Sequence, residues 1–349
     1  MMLATTTEPR AVGAAELADA IRAGEYAHTP VTVVGYGTMG KQYVAALQTL
    51  GVEQIRVVTR SPAALGALRG TPVEPIAGGV EAFAGPARHG ELGIVSTPTA
   101  MLIPATERLI GLGFRRLLIE KPVALYSQAI NRLAARCDQE GVEAAVAYNR
   151  LAYPSAIEAS ARAAREGGVT SCTYGFTELI REDWVARFPA DELARWGIAN
   201  SAHPIGLAHG LIGLPARWAG ERGGAMPWHP SGAVFVGSGV SVHGVPFAYH
   251  ADWGSKSRWW VEIQTREAAY RLCPLERLFE KRSSMADWTE IPVPACHPQV
   301  KAGLAEEVAA MLDAGVRQVV KPVTLFHAAA LTRFAESVFG YATESTTEN

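Results

Sequence analysis

Three stretches of this chain hold residue types whose spacing could do chemistry. Val31-Thr32-Val33-Val34-Gly35-Tyr36-Gly37-Thr38-Met39-Gly40 is a β-branched run that breaks into a G-x-G-x-x-G turn and then into the helix-like Lys41 to Leu50. Glycines at that spacing let a backbone turn tightly, approach a pyrophosphate and pack helix on strand, while the helix N-terminus offers free N–H groups to phosphate. Glu120-Lys121-Pro122 ends a second strand pattern, Arg116 to Glu120, so Lys121 leaves the sheet at its ligand-binding edge. A lysine desolvated there has its pKa drawn down from ~10.4 and can exchange a proton with a substrate hydroxyl or carbonyl; a plain surface lysine is the alternative. Glu120 would fix Lys121 or contact a nicotinamide ribose. The third stretch, Val58-Thr59-Arg60-Ser61, stands about twenty residues past Gly40, where an NAD-selective turn carries an acid for the ribose. No acid is present; Arg60 with the Thr59 and Ser61 hydroxyls suits a 2′-phosphate and favours NADP(H), with NAD(H) as the alternative if Arg60 is only a solvated strand end.

The elements that must position these residues alternate. Strand patterns at Val31 to Val34, Ile55 to Arg60, Val73 to Ile76, Leu92 to Thr97, Arg116 to Glu120 and Val142 to Tyr148 are separated by helical patterns at Met101 to Leu112 and Gln128 to Glu140, which predicts a parallel sheet. Ligands collect at the carboxyl ends of such strands, which adds Ser96, Thr97 and Pro98 and the segment Tyr148 to Arg150 to the candidate residues. Beyond the helix Pro154 to Glu166 the strands Ser171 to Glu178, Ala233 to Val236, Phe247 to Trp253, Trp259 to Thr265 and Ala269 to Leu272 alternate in polarity and are joined by loops, as in an antiparallel sheet with one covered face. Helical patterns fall at Ala14 to Gly24, Asp191 to Trp196, Pro204 to Ile212, Val300 to Leu312 and Leu325 to Val338. The expected fold is therefore α/β, an N-terminal Rossmann domain over residues 1–125 with a short helical extension, then an α+β domain over 126–349 with a large, mainly antiparallel open sheet. Residues 1–10 and 343–349 read as frayed ends.

The bulk composition excludes several classes. With 48% hydrophobic and 19% charged residues over 349 positions, the chain can bury a sizeable core, and a net charge of −2 leaves no electrostatic footprint for nucleic acid or an anionic membrane. Four scattered cysteines without metal spacing, no apolar leader and no run of about 18 apolar residues point to a reduced cytoplasmic protein.

The glycine turn, Thr97-Pro98, Glu120-Lys121-Pro122, Tyr148-Asn149-Arg150 and a later His-bearing helix together resemble the Gfo/Idh/MocA oxidoreductases, the glucose-fructose oxidoreductase and inositol dehydrogenase family, over roughly residues 30 to 340. The resemblance implies a Rossmann domain followed by an open α/β domain whose sheet joins dimers or tetramers, and a D-x-x-x-H segment with a further Asp three residues on. The matching segment here is Ala199-Asn200-Ser201-Ala202-His203-Pro204-Ile205-Gly206: His203 fits, while Ala199 and Gly206 stand where the acids are expected. Lys121 and His203 are then the catalytic pair, with Asp183, Asp252 or Glu178 as substitute acids. His209 falls on a different helix face from His203 and the other histidines lack ligand spacing, so no metal is expected.

Tyr249 to Trp260 adds aromatics and the cations Lys256 and Arg258, which would suit a sugar face and an anionic group, whereas Trp259 and Trp260 read as sheet core. The cofactor residues expected are Gly35, Tyr36, Gly37, Thr38, Met39, Gly40, Thr59, Arg60, Ser61, Ser96, Thr97, Pro98, Glu120 and Lys121. Asn149, Arg150, Asn200, His203 and Arg258 are expected to hold a small-molecule substrate: a sugar, cyclitol or sugar nucleotide oxidised or reduced at a hydroxyl or carbonyl carbon. An imine or ketone reductase and a non-catalytic sugar-binding regulator are the rival readings.

Overall fold

Every residue of Val31–Val34, Ile55–Thr59 and Leu92–Val95 is buried in the computed structural model, which describes residues 11–180 and 182–344. Runs of β-branched side chains require this: helices must cover the strand on both faces. In chain order the strands are β1 (Val31–Val34), β2 (Ile55–Thr59), β3 (Glu74–Ala77), β4 (Leu92–Val95), β5 (Arg116–Glu120), β6 (Glu143–Ala147), β7 (Ser171–Phe176), β8 (Pro215–Gly223), β9 (Val234–Ser241), β10 (Pro246–Asp252), β11 (Trp259–Gln264), β12 (Ala269–Leu272), β13 (Leu278–Lys281), β14 (Thr289–Ile291) and β15 (Val323–Thr324). The first sheet runs β15-β6-β5-β4-β1-β2-β3, parallel throughout except for β15 against β6. Strand order reverses between β1 and β4, so the turn at Gly35 and the segment after Val95 flank the crevice where such sheets take ligands. The parallel sheet continues past residue 125 to take in β6, and the chain returns near its end to add β15.

The second sheet runs β14-β13-β12-β11-β7-β10-β9-β8 and is antiparallel apart from the β7–β10 pair. Its covered face is an aromatic core of Tyr174, Phe176, Phe235, Phe247 and Tyr249 under the helices Ala202–Ile212 and Leu325–Phe339. The strands β8, β13 and β14 have no counterpart in the periodicity of the sequence. Pro215–Gly223 is an edge strand exposed at most positions, so nothing selects the alternation that marks a half-buried strand. The histidine-bearing helix begins at Ala202 rather than Pro204, because a proline is tolerated in the first turn. Among the described residues no helix is long and apolar enough to cross a membrane.

A buried polar knot fixes the two halves together behind the crevice. Glu336, 3% exposed, accepts hydrogen bonds from the Ser127 backbone N–H (3.0 Å), the Ser127 hydroxyl (2.6 Å) and the Arg195 guanidinium (3.0 Å). Arg195 also donates to the Leu125 carbonyl at 2.8 Å and lies over the Tyr126 ring, and it immediately precedes the short helix Trp196–Ala199. Removing one member leaves a buried charge without its partner. Glu336→Ala should therefore lower the unfolding free energy by about 3 kcal/mol in a denaturant titration, and a loss below about 1 kcal/mol would show that the knot does not hold the halves.

Candidate active site

The glycine turn works through backbone geometry. Gly35 has φ +95°, and a Cβ there would lie 2.6 Å from the Ser96 carbonyl oxygen; a Cβ on Gly40 would lie 2.1 Å from the carbonyl oxygen of Gly35. Both positions are closed by the protein's own packing. At Gly37 a Cβ would meet nothing within 4 Å, so only a bound group gains from its absence. The Ser96 hydroxyl braces the turn by donating to the carbonyls of Val34 (3.2 Å) and Gly35 (3.1 Å).

Around this turn opens a cleft of ≈ 960 Å³ lined by Gly35 to Met39, Thr59 to Ser61, Ser96 to Thr99, Glu120 and Lys121. Of the residues expected to hold a cofactor, Gly40 alone stays outside the lining and serves the packing of helix on turn. The cleft also takes in Gly79 and Glu81, and Phe188, Pro189 and Glu192 from the second half, none of which carries a sequence signal. Arg60 lies over Gly79, where a Cβ would come 2.4 Å from its Cγ. The Thr59 and Ser61 hydroxyls each accept a backbone N–H, from Ser61 and Ala64, and so keep their own protons to donate. Thr97 Oγ1 is buried without a partner on this wall. An open glycine, an orphaned hydroxyl and the hydroxyls and cation of the second strand end fit a dinucleotide along the cleft.

At the other end β5 delivers Glu120 and Lys121. Glu120 is 9% exposed and accepts the Tyr43 hydroxyl at 2.7 Å; burial pushes its pKa up, while Tyr43 and Lys121 pull it down. The turn behind Lys121 is strained: Val123, wholly buried, sits at φ +65°, a conformation costing a β-branched residue about 1–3 kcal/mol. Lys121 Nζ donates to the Ala199 carbonyl at 2.7 Å. Burial brings its pKa down to about 8, with the charges of Arg150 and Lys301 adding to the effect and Glu120 and Glu178 opposing it.

The segment that lacks both expected acids is supported by Glu178, two residues beyond β7. It is 2% exposed, and accepts hydrogen bonds from Ser201 Oγ at 2.6 Å and Asn200 Nδ2 at 2.8 Å, with the Trp259 indole beside it. Burial raises its pKa to about 7 against the pull of those donors and of Lys121. The other two substitute acids are elsewhere: Asp183 pairs with Arg187 at 2.9 Å, and Asp252 accepts the Gly254 N–H. No carboxylate could occupy position 206, since a Cβ on Gly206 would lie 2.6 Å from the Tyr148 ring.

His203 is 6% exposed, and its Nε2 lies 2.9 Å from an Arg150 Nη. Arginine can only donate, so Nε2 accepts and the ring is neutral with its proton on Nδ1, an atom buried without a partner. Burial and the cations Lys121, Arg150 and Lys301 hold its pKa well below the usual histidine range. Arg150 thus supplies the orientation that a missing acid would give. Trp259 packs against the second sheet's core as expected, and its ring also lies 5.7 Å from His203 and under Arg150. Asn149 is buried and committed to the Ala302 carbonyl (3.2 Å) and to Arg150 (2.9 Å), so its amide orients neighbours. Asn200 likewise faces Glu178, and Arg258 is exposed on the turn before β11. Among the described residues no group of three or more His, Cys, Asp and Glu side chains is arranged around a metal position.

Neither a protein-family model nor a curated relative matches the sequence. Solved structures match the fold over most of their length. UDP-N-acetylglucosamine 3-dehydrogenase GnnA from Acidithiobacillus ferrooxidans superposes with a TM-score of 0.66 at 14% identity, covering 90% of this chain and 97% of its own. The WlbA dehydrogenase from Bordetella pertussis, in complex with NADH and UDP-GlcNAcA, gives 0.67 at 15% identity, covering 90% and 96%. An oxidoreductase from Agrobacterium radiobacter, in complex with NAD+, L-tartaric acid and magnesium, gives 0.68 at 12% identity, again covering 90% and 96%. At such identities the likeness establishes the two-sheet architecture.

The Glu178 environment has a thermodynamic consequence. Its folded pKa of about 7 lies above the ordinary 4.5, so the folded chain holds this proton more tightly; the stability gained is complete below the ordinary value and is lost as pH rises through 7. Glu178→Gln removes that dependence. Between about pH 4.5 and about pH 8 the variant should gain on the wild type by on the order of 3 kcal/mol in unfolding free energy, and a pH-independent difference would refute the assignment.

Proposed function

We propose that the chain is a nicotinamide-dependent oxidoreductase of the Gfo/Idh/MocA type, acting at a hydroxyl or carbonyl carbon of a sugar, cyclitol or sugar nucleotide. The observation that carries this reading is Lys121, a half-buried lysine with its pKa drawn down to about 8 at the strand end that closes the glycine-turn cleft. Gly35 to Met39 would hold the pyrophosphate, Thr97 and Glu120 the nicotinamide half, and Arg60 with Thr59 and Ser61 a 2′-phosphate, which favours NADP(H). A bound nicotinamide supplies the hydride acceptor or donor. In oxidation, neutral Lys121 takes the hydroxyl proton; in reduction, the ammonium form returns it to the carbonyl oxygen. A pKa near 8 keeps both forms populated close to neutral pH. His203, neutral and oriented by Arg150, presents its Nδ1–H as a donor to a substrate oxygen. The reading extends to a cytoplasmic homo-oligomer joined through the outer face of the second sheet, where Val236 is 40% exposed opposite the aromatic core.

Lys121→Ala should abolish turnover while NADPH still quenches intrinsic fluorescence; unchanged turnover would sink the mechanism. In wild-type protein the rate should rise with pH through an apparent pKa near 8 in the oxidative direction, as the free amine forms, and fall through it in the reductive direction. Arg60→Gln should weaken NADPH binding about tenfold or more and leave NADH binding unchanged, and equal losses for both would remove the case for NADP(H).

A further inference from the structure

Three cations, Lys121, Arg150 and Lys301, gather around His203, and among the described residues none of them is within ion-pair distance of a carboxylate. Lys121 is occupied by a backbone carbonyl, and Arg150 by an amide oxygen and an imidazole nitrogen. Lys301 Nζ lies 3.4 Å from the sulfur of Met39, on the wall of the cleft. Close contacts between their segments hold the last two together: the Asn149 side-chain amide donates to the carbonyl of Ala302, next to Lys301, and a Cβ on Gly303 would lie 2.2 Å from the carbonyl oxygen of Asn149, next to Arg150. The Arg150 guanidinium is further held against Trp259 at 5.6 Å and Tyr153 at 6.0 Å, which fixes its plane while leaving Nε and one Nη uncommitted.

Lys121 and Arg150 are half-buried and Lys301 is exposed, and a charge drawn partly out of water normally finds a partner. The carboxylates that face this group do not supply one. Glu276 is exposed and takes the Tyr153 hydroxyl at 3.4 Å; Glu120 is engaged by Tyr43; Glu307 is buried with an unpartnered Oε2, and burial and Glu120 push its pKa well above the usual carboxylate range against the pull of Arg150 and Lys301. Glu178 faces Lys121 from the far side through Asn200 and Ser201. The uncommitted Nε and Nη of Arg150 leave a partner position open.

We propose, on the basis of the oxidoreductase reading, that the substrate is an acid whose carboxylate, close in the molecule to the reacting carbon, is bound by the uncommitted edge of Arg150 and by Lys301. A planar guanidinium held between aromatic rings matches a carboxylate fork, and the lysine adds a point charge from the cleft mouth. Uronates and hydroxy acids have this chemistry; neutral hexoses do not.

The test uses the full chain saturated with NADPH, with binding read by calorimetry. D-glucuronate and L-tartrate are compared with D-glucose and inorganic phosphate. At least one of the two acids should bind about tenfold or more tighter than glucose and phosphate, and Arg150→Gln and Lys301→Gln should each remove that preference while NADPH affinity is kept. Lys301 is solvent-exposed, so its variant serves even where Arg150→Gln disturbs folding. Glucose binding as tightly as both acids, phosphate matching them, or a preference that survives Lys301→Gln would each overturn the proposal while the oxidoreductase reading stands. Failure of NADPH to bind wild-type protein would overturn that reading and this one with it.

Discussion

The contact on which the rest depends is the 2.7 Å hydrogen bond from Lys121 Nζ to the carbonyl of Ala199. It joins the end of a parallel strand to a short helix in the other half of the chain, and gives a buried ammonium a dipole instead of a counter-charge. A carboxylate in that place would favour the charged form by 1–3 pKa units. A carbonyl satisfies one donor but offers far less compensation for lost solvent, so desolvation wins and the lysine titrates near 8. The carbonyl belongs to the backbone, so an acid at position 199 would keep this contact and add a counter-charge, whereas Ala199 leaves the lysine the dipole alone.

Glu178 completes that logic from a different element. Tyr148 fills the space where the helix could otherwise carry an acid at 206, and the carboxylate arrives from the end of β7 instead, held at both oxygens. Its position is set by a sheet with an aromatic core rather than by a helix turn. The Ser201 and Asn200 donors bind it to the loop that carries the Ala199 carbonyl, so the carboxyl, the carbonyl and the lysine form one rigid group. The Arg195–Glu336 knot anchors the same loop from behind.

What could be read from the sequence follows from how local each signal is. The central strands β1 and β4 were legible because burial on both faces favours β-branched and aliphatic residues, and the glycine turn because one positive φ and one close approach admit no other residue. The place of Lys121 followed from a strand end. By contrast, β8 left no trace because an exposed edge imposes no pattern. Trp259 packs on the core as its aromatic content suggests, but its second contact, with His203 and Arg150, depends on which ring edge faces the neighbouring helix and leaves no sequence pattern. Lys301 lies far along the chain from Arg150, and only the return of the chain over the glycine-turn helix brings it to the cleft. Glu178 could be named as one of three acids but not chosen, since the choice depends on the Ser201 and Asn200 contacts.

The two ends of the cleft separate holding from reacting. Around the glycine turn the protein offers backbone N–H groups, the buried hydroxyls of Thr59, Ser96 and Thr97 and the exposed Arg60. Around Lys121 the ionisable groups are buried, and each changes its neighbours' proton affinity: Tyr43 on Glu120, Glu120 on Lys121, Lys121 on His203. In such a cluster no single pKa is independent of the others, and adding one anion stabilises every cation at once. A ligand carrying negative charge would therefore do more than bind: by raising the proton affinity of Lys121, it would set which direction of proton transfer the site favours at a given pH.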